Sequence, residues 1–349
     1  MATLSYHEQK DIENIKKLRE LQKELPSFCS DFFRGIETST STRTRIAYAY
    51  DLKIFFQFLK TANPGTFNNP AHTLTPADLE KLTVTDLEEY IDYLKCHPGE
   101  TSDDIVNTER GLMRKVSSLR SFYSYFFRNE QIEKNPAALV RMPKLHEKEI
   151  IRLDVDEVAL LLDEVEQGDK LTDKQKSYHL KTKVRDLALL TLLLGTGIRV
   201  SECVGLNISD IDFKNGGIRI YRKGGKEVTV YFGTEVEDAL LDYLEERDRI
   251  IPEAGHEDAL FLSLQRKRMA VRSVENLVKK YARTVSPLKP ITPHKLRSTY
   301  GTNLYRETGD IYLVADVLGH SDVNTTKRHY AALEDERRRS ARNKVRLRE

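Results

Sequence analysis

The sequence of 349 residues contains no tryptophan, few cysteines and almost no net charge. Its three cysteines, Cys29, Cys96 and Cys203, lie far apart and lack the CxxC or Cys/His spacing of metal sites. The sequence therefore indicates neither a disulfide framework nor a zinc site. The 56 basic and 54 acidic residues leave a formal charge of +2, so a surface that binds a polyanion must arise from local segregation of charge.

Long apolar segments are also absent. The longest mostly apolar run, residues 187–194, is too short to cross a bilayer. The first residues, MATLSYHEQKDIENIKKLRE, have no apolar core and do not follow the pattern of a signal peptide. We therefore expect a cytoplasmic protein without a membrane segment, and the length favours two domains over one.

The C-terminal part of the chain carries an ordered set of polar residues in the segments LLLGTGIRVSECVGL, PHKLRSTYGTNLYRETG and DIYLVADVLGHSDVNTTKRHYAAL. The set consists of Arg199, His294, Arg297, His320 and Tyr330. Cleavage of a phosphodiester without a metal ion requires a nucleophile, positive charge at the non-bridging oxygens and a proton donor for the leaving oxygen. Arginine binds phosphate through two parallel N–H groups, histidine moves protons near neutral pH, and tyrosine can form a covalent intermediate. The set suits this reaction, although each residue alone is more often an ordinary surface or structural residue.

The spacing of the C-terminal residues adds to this interpretation. His294 and Arg297 stand three residues apart at the start of a predicted helix, so we expect both to face one way. Thr292 and Pro293 provide a suitable cap and a suitable first residue for that helix.

Two glycines, Gly195 and Gly197, interrupt the most apolar predicted helix, residues 184–194, just before Arg199. Glycine lets the backbone approach a ligand closely, and a following helix start offers its amides to an anion. Glu202 follows Arg199 by three residues, so we expect it on the same side, where it can orient a basic partner. A purely structural pair of Arg199 and Glu202 is the alternative.

A small antiparallel sheet is predicted from residues 208–213, 217–222 and 227–232, which alternate in polarity and are rich in β-branched residues. The turn between the last two strands is Lys223-Gly224-Gly225-Lys226. A lysine on such a turn can enter the minor groove of DNA and protonate a departing 5′ oxygen. The more ordinary explanation is a solvated surface turn.

Taken in order, GxRxSE, the basic hairpin turn, HKLR, LGHSD and the following tyrosine resemble the tyrosine recombinase (phage integrase) family. The resemblance implies that the catalytic residues are Arg199, Lys223, His294, Arg297, His320 and Tyr330, with Tyr330 as the nucleophile and Glu202 in support. Lys226 is the alternative to Lys223. Many family members place the last histidine and the nucleophile nine residues apart, and here that position holds His329, whereas Tyr330 is the only tyrosine after His320. The resemblance implies no cofactor and no metal ion.

The N-terminal segments TRIAYAYDLKIFFQFL, VTDLEEYIDYL and KVSSLRSFYSYFFRNEQIEKNPA resemble the core-binding domain of the same family, a small helical bundle. We expect a mainly α fold with an N-terminal helical extension (1–36), a core-binding domain (37–142), a linker (143–152) and a mixed α catalytic domain with a small antiparallel sheet (153–349). The extension either packs on the bundle or contacts DNA or a neighbouring subunit, and the basic tail either packs on its own domain, coats DNA or docks on a neighbour.

Several basic residues outside the catalytic set are candidates for DNA contact, with a solvated surface as the alternative. They are Arg45, Arg114, Lys115, Arg120, Lys226, Arg266 and Arg268. The resemblance implies a site-specific recombinase that cleaves and rejoins double-stranded DNA through a 3′-phosphotyrosyl intermediate, as a homotetramer at a specific site. Chromosome dimer resolution and mobile-element integration or excision both fit. A type IB-like topoisomerase and a catalytically idle DNA-binding protein of the same fold are the alternatives.

Overall fold

A computed structural model describes residues 5–68, 73–99, 103–146, 151–222 and 225–319. The chain divides into two compact units, Met1–Glu147 and Lys148–Glu349. Both units are mostly helical and contain small antiparallel sheets, which confirms the fold class expected from the sequence. No helix in the described parts of the chain has the length and apolar character needed to cross a bilayer.

Unit 1, residues 1–147, is a helical bundle. Its elements are α1 (Tyr6–Gln22), α2 (Cys29–Gly35), α3 (Thr42–Ala62), α4 (Pro64–Phe67), a 3-10 turn (Pro76–Lys81), α5 (Val84–Lys95), β1 (Cys96–Pro98), β2 (Asp104–Val106), α6 (Glu109–Arg128) and α7 (Pro136–Leu139). Side-chain caps start the helices α3, α5 and α6, because the hydroxyls of Ser41, Thr83 and Thr108 accept backbone N–H groups of the first turn.

The core of unit 1 is rich in phenylalanine. Phe28 and Phe32, from the segment just before and within α2, pack against Phe122 of α6 with ring centroids 6.1 and 5.2 Å apart. Leu18 and Leu21 of α1 belong to the same buried cluster. The helices of residues 1–36 therefore share the core of the bundle that follows them.

Unit 2, residues 148–349, contains the remaining elements. They are α8 (Val155–Gln167), α9 (Asp173–His179), α10 (Lys183–Thr196), α11 (Val200–Gly205), a 3-10 turn (Ile208–Asp210), β3 (Ile211–Asp212), β4 (Gly217–Tyr221), β5 (Glu227–Tyr231), α12 (Thr234–Arg247), α13 (Val271–Val285), α14 (Pro293–Thr308) and α15 (Ile311–Leu318). The strands are antiparallel in the order β3-β4-β5, with Ile218 opposite Val230.

Three local features differ from the sequence expectation. The segment GDKLTDKQKSYHL, residues 168–180, is polar enough to predict a loop, but it contains α9, which starts with a capping box of Thr172 and Gln175. The first expected strand, 208–213, is mostly a 3-10 turn followed by the two-residue strand β3. Gly195 does not end α10, because the helix continues to Thr196 and a Cβ at Gly195 would lie 2.5 Å from the Val236 side chain of α12. Gly195 therefore permits close helix packing rather than a break.

Candidate active site

Arg199 lies at the junction of α10 and α11. The helix α10 ends at Thr196, its C-cap residue Gly197 has a φ of 63° in the left-handed region, and Arg199 is the N-cap residue of α11 two residues later. Glu202 accepts the backbone N–H of Arg199 at 2.7 Å and its Nη1 at 2.8 Å. The Glu202 side chain is 4% exposed and that of Arg199 40%, so a buried carboxylate holds one edge of a guanidinium that remains accessible to solvent.

Arg297 lies in the first turns of α14, which begins at Pro293 after Thr292, an N-cap residue whose side chain makes no capping hydrogen bond. Its side chain is buried, Nη1 donates to the carbonyl of Gly197 at 2.5 Å, and Nη2 donates to the carbonyl of Leu318. His294, three residues earlier, is exposed. Arg297 thus links α14 to the end of α10 and the end of α15, while His294 faces solvent beside it on the first turn.

The C-terminal end of α15 brings the arginines together. Carbonyl oxygens at the end of a helix have no partner within the helix and carry a partial negative charge. Here Leu318 O accepts from Arg297, and Gly319 O accepts from Nη2 of Arg199 at 3.3 Å. Two arginines that the sequence separates by almost a hundred residues therefore meet at one helix end.

A third arginine, Arg222, occupies the same helix end, and the sequence analysis did not single it out. Its Nη1 donates to the carbonyl of Asp316 at 3.2 Å and its Nη2 to that of Val317 at 2.6 Å. Burial lowers the pKa of Arg222. Glu202 acts against this shift and Arg199 adds to it, so the charges of Glu202 and Arg199 both act on Arg222. We refer to Arg199, Arg222 and Arg297 as the arginine cluster.

Three guanidinium groups lie together in the arginine cluster, and the described contacts hold each of them in place. Glu202 pairs with Arg199, whereas carbonyl oxygens accept both Arg222 bonds and the two Arg297 bonds described above. A carbonyl dipole orients a guanidinium without neutralising it. The cluster therefore fits an anion with several oxygens, and its donors are fixed before that anion arrives.

Three residues of the predicted catalytic set, Lys223, His320 and Tyr330, lie outside the described residues. Lys223 directly follows Arg222 in the sequence, and His320 directly follows Gly319. The described neighbours of both residues belong to the arginine cluster or contact it.

The candidates for DNA contact in unit 1 differ in how their charges are paired. Arg45 is buried and donates to Glu37 at 2.8 Å. Lys115 is also buried and donates to the side chain of Asn107 at 2.7 Å. Arg120 donates to three backbone carbonyls in the segment 137–140. These contacts are internal to the bundle.

Arg114 is different, because its side chain is 44% exposed. It donates to Asp51, which is 3% exposed, and it lines a cavity of about 580 Å³ together with Arg43 and Arg110. Burial raises the pKa of Asp51 to about 6, against the attraction of Arg114 and Lys115. The structure thus places a basic groove on unit 1.

The candidates in unit 2 differ in the contacts that their side chains make. Lys226 is exposed at the β4–β5 turn, and Arg266 pairs with Glu253 at 2.6 Å. Arg268 donates to the carbonyls of Val204 at 3.1 Å and Leu206 at 2.6 Å, so its charge stabilises the chain after α11. Within the described ranges there is no group of three His, Cys, Asp or Glu side chains placed to hold a metal ion.

Comparison with known proteins agrees with this arrangement. The phage integrase family model matches residues 152–337. The chain is 35% identical over 329 residues to tyrosine recombinase XerC of Caldanaerobacter subterraneus subsp. tengcongensis, covering 91% of this chain and 86% of the relative. The fold is similar to that of the XerH site-specific recombinase bound to palindromic difH substrate in a post-cleavage complex, with a TM-score of 0.64 and 19% identity over 86% of this chain and 80% of the other. It is also similar to a lambda integrase tetramer bound to a Holliday junction, with a TM-score of 0.60 and 16% identity over 87% and 76% of the two chains. The chain therefore belongs to the phage integrase family, the tyrosine recombinases.

Proposed function

We propose that the protein is a site-specific recombinase that cleaves and rejoins double-stranded DNA through Tyr330. The observation that carries this proposal is the arginine cluster, in which Arg199 and Arg297 converge on one helix end. The family membership supplies the reaction type, and the cluster supplies the charge that the reaction needs.

The phenolic oxygen of Tyr330 attacks the scissile phosphorus, so the Tyr330–phosphorus bond forms and the bond from phosphorus to the 5′ oxygen breaks. Arg199 and Arg297 bind the non-bridging oxygens, where negative charge grows in the transition state. His294 and His320 hydrogen-bond to the same oxygens and assist proton movement. Lys223 protonates the 5′ oxygen as it leaves.

The covalent intermediate explains how strands are exchanged without an external energy source. The 3′-phosphotyrosyl ester retains the energy of the broken phosphodiester, so a 5′ hydroxyl from a partner duplex can reverse the step. Glu202 contributes by holding Arg199 in place through two hydrogen bonds. The reaction requires a rigid site that excludes water. The hydrogen bonds from Arg297 to two carbonyl oxygens support the proposed rigidity.

We further propose that the two units bind a duplex together, with 37–142 as the core-binding domain, 143–152 as the linker and 153–349 as the catalytic domain. Arg114 in the basic groove of unit 1 and the exposed Lys226 of unit 2 are the best-placed DNA contacts. A homotetramer at a specific site is expected, since the lambda integrase relative was solved as a tetramer on a Holliday junction. Similarity to XerC favours chromosome dimer resolution in the cytoplasm over a mobile-element role.

A plasmid assay tests the function. The purified protein is incubated with supercoiled plasmids that carry two copies of the chromosomal target site, and with a plasmid that carries none. A recombinase yields products whose formation depends on both sites, and Tyr330→Phe yields none. Relaxation of both plasmids without exchange would favour the topoisomerase alternative. Binding without cleavage would favour the catalytically idle protein.

A further inference from the structure

The side chain of Arg222 connects the β4–β5 turn to the end of α15 through the two hydrogen bonds described above. We propose that Arg222 is a positioning residue that sets the location of Lys223 relative to the phosphate site. The inference rests on the proposed function, because it assumes that Lys223 protonates the leaving oxygen.

The backbone of Arg222 is fixed within the hairpin. Its N–H donates to the carbonyl of Lys226 at 2.8 Å, and its carbonyl accepts the N–H of Gly225 at 3.1 Å. These two bonds join the backbone of Arg222 to Gly225 and Lys226 on the far side of the turn. A Cβ added at Gly225 would meet no atom within 4 Å, so at that position the turn has open space around it.

The side chain of Arg222 supplies support from another part of unit 2. Its two hydrogen bonds reach Asp316 and Val317, which are more than ninety residues away in the sequence. The guanidinium also lies against Gly319, where an added Cβ would be 2.3 Å from Nη1 and 2.5 Å from Cζ. Gly319 has a φ of 60°, so glycine suits this position both for its conformation and for the close approach of Arg222.

The contacts of Arg222 connect two proposed catalytic groups through the covalent chain. Lys223 is the next residue after Arg222, and His320 is the next residue after Gly319. A rigid link between Arg222 and Gly319 therefore restricts the distance between the attachment points of Lys223 and His320. Proton transfer to a leaving oxygen depends steeply on that kind of placement, because donor and acceptor must come within hydrogen-bond reach.

A direct role in binding phosphate is the competing explanation for Arg222. Its two terminal nitrogens already donate to carbonyls, and burial disfavours its charged form. Arg199 by contrast has a side chain that is 40% exposed. The contacts thus assign Arg222 to holding the turn, and a chemical test can separate the two roles.

The test uses nicked DNA in which the 5′-bridging oxygen at the cleavage point is replaced by sulfur. With oxygen, the departing group needs a proton from Lys223, whereas a thiolate leaves without one because thiols ionise near pH 8.5, roughly seven units below water. A variant that misplaces the proton donor is therefore slow on oxygen DNA and restored on sulfur DNA. A variant that loses phosphate binding or folding is slow on both.

We expect Arg222→Ala to form the covalent adduct about 10 to 100 times more slowly than the wild type on oxygen DNA. This loss is smaller than the full rate contribution of a general acid, because the variant misplaces the proton donor and does not remove it. On sulfur DNA its rate should be within about threefold of the wild type, and Lys223→Ala should show the same pattern. Arg219→Ala is the matched control, since Arg219 lies on β4 three residues before Arg222 and pairs with Asp210 at 3.0 Å outside the arginine cluster. It should match the wild type on both substrates.

Failure of sulfur to restore Arg222→Ala would overturn the positioning role, as would an unchanged rate on oxygen DNA. Arg222→Lys provides a second measurement if the alanine variant does not fold, because lysine keeps the charge but loses the planar pair of donors. Its sulfur-to-oxygen rate ratio should also exceed that of the wild type, and an equal ratio would contradict the proposal. If the wild type forms no adduct with either DNA, the proposed function fails instead.

Discussion

Replacement of Gly197 by alanine tests whether the end of α10 supports the arginine cluster as described. Gly197 has a φ of 63°, and its carbonyl accepts Nη1 of Arg297. A Cβ at this position would lie 2.4 Å from the Tyr300 ring and 3.0 Å from a methyl of Leu318. Alanine at position 197 therefore has two separate costs in free energy, one from the left-handed backbone conformation and one from steric overlap with Tyr300 and Leu318.

The two penalties can be given magnitudes. An L-residue in the left-handed region costs roughly 1–2 kcal/mol relative to glycine. Forcing a methyl group into a filled site costs roughly a further 1–3 kcal/mol. Gly255 isolates the first penalty, because its φ is 83° and an added Cβ there meets no atom within 4 Å. Gly197→Ala should thus lower the free energy of unfolding by about 1–3 kcal/mol more than Gly255→Ala.

Thermal unfolding and DNA cleavage measure the consequence. A difference of about 1–3 kcal/mol corresponds to a melting temperature lower by roughly 2–12 °C in Gly197→Ala than in Gly255→Ala. Adduct formation on nicked DNA should slow in Gly197→Ala, because Arg297 loses the position of its carbonyl partner, and it should be unchanged in Gly255→Ala. Equal melting temperatures for the two variants would refute the close packing around Gly197.

Three further predictions concern charged groups. Asp51→Asn removes a buried carboxyl whose pKa is raised from 3.8 to about 6, so the wild type binds a proton on folding between these values and loses stability as pH rises through them. Relative to Asp51→Asn, the free energy of unfolding of wild-type unit 1 should fall by about 3 kcal/mol between pH 4 and pH 7. Hydrogen exchange of peptides from α3 and α6 measures this change, and a difference between the two proteins that does not vary with pH would contradict it. Glu202→Gln should slow adduct formation about tenfold while its DNA affinity stays within about threefold of the wild type, because the variant weakens the bond that orients Arg199 and keeps the contact of Arg199 with phosphate. Equal rates of single-turnover cleavage in Glu202→Gln and the wild type would argue against the pairing. Arg120→Ala should lower the stability of unit 1 by about 1–3 kcal/mol through the lost carbonyl contacts. Its salt dependence of DNA binding should be unchanged in band-shift titrations, whereas loss of a phosphate contact would reduce the logarithmic slope by about one.

The sequence was informative where structure depends on neighbouring residues. The helices α3, α5 and α6 lie in the segments whose resemblance indicated a helical bundle, and the structure places the caps of α3 and α5 at Ser41 and Thr83. The pairing of Arg199 with Glu202 could be expected from a spacing of three residues. Long polar segments were harder, since the helix α9 has few apolar residues and depends on a capping box and on His179, which is buried against the carbonyl of Val165 at 2.8 Å.

Contacts between distant residues were not predictable from one sequence. Arg222 was missed because its partners lie at the end of α15, and a basic residue beside a turn is normally solvated. The reverse holds for Arg45 and Arg268, which look like DNA contacts in the sequence although the structure pairs them with Glu37 and with backbone carbonyls. Charge in a sequence does not reveal whether a partner already lies within the fold.

The central claim is that Tyr330 becomes covalently linked to DNA at the site built around the arginine cluster. The most direct measurement is a nicked suicide substrate that prevents religation, followed by proteolysis and mass spectrometry of the trapped peptide. The account predicts a 3′-phosphotyrosyl link on Tyr330, its loss in Tyr330→Phe with DNA affinity retained, and an undiminished adduct in His329→Ala. A link on another residue, or an adduct that persists in Tyr330→Phe, would contradict it.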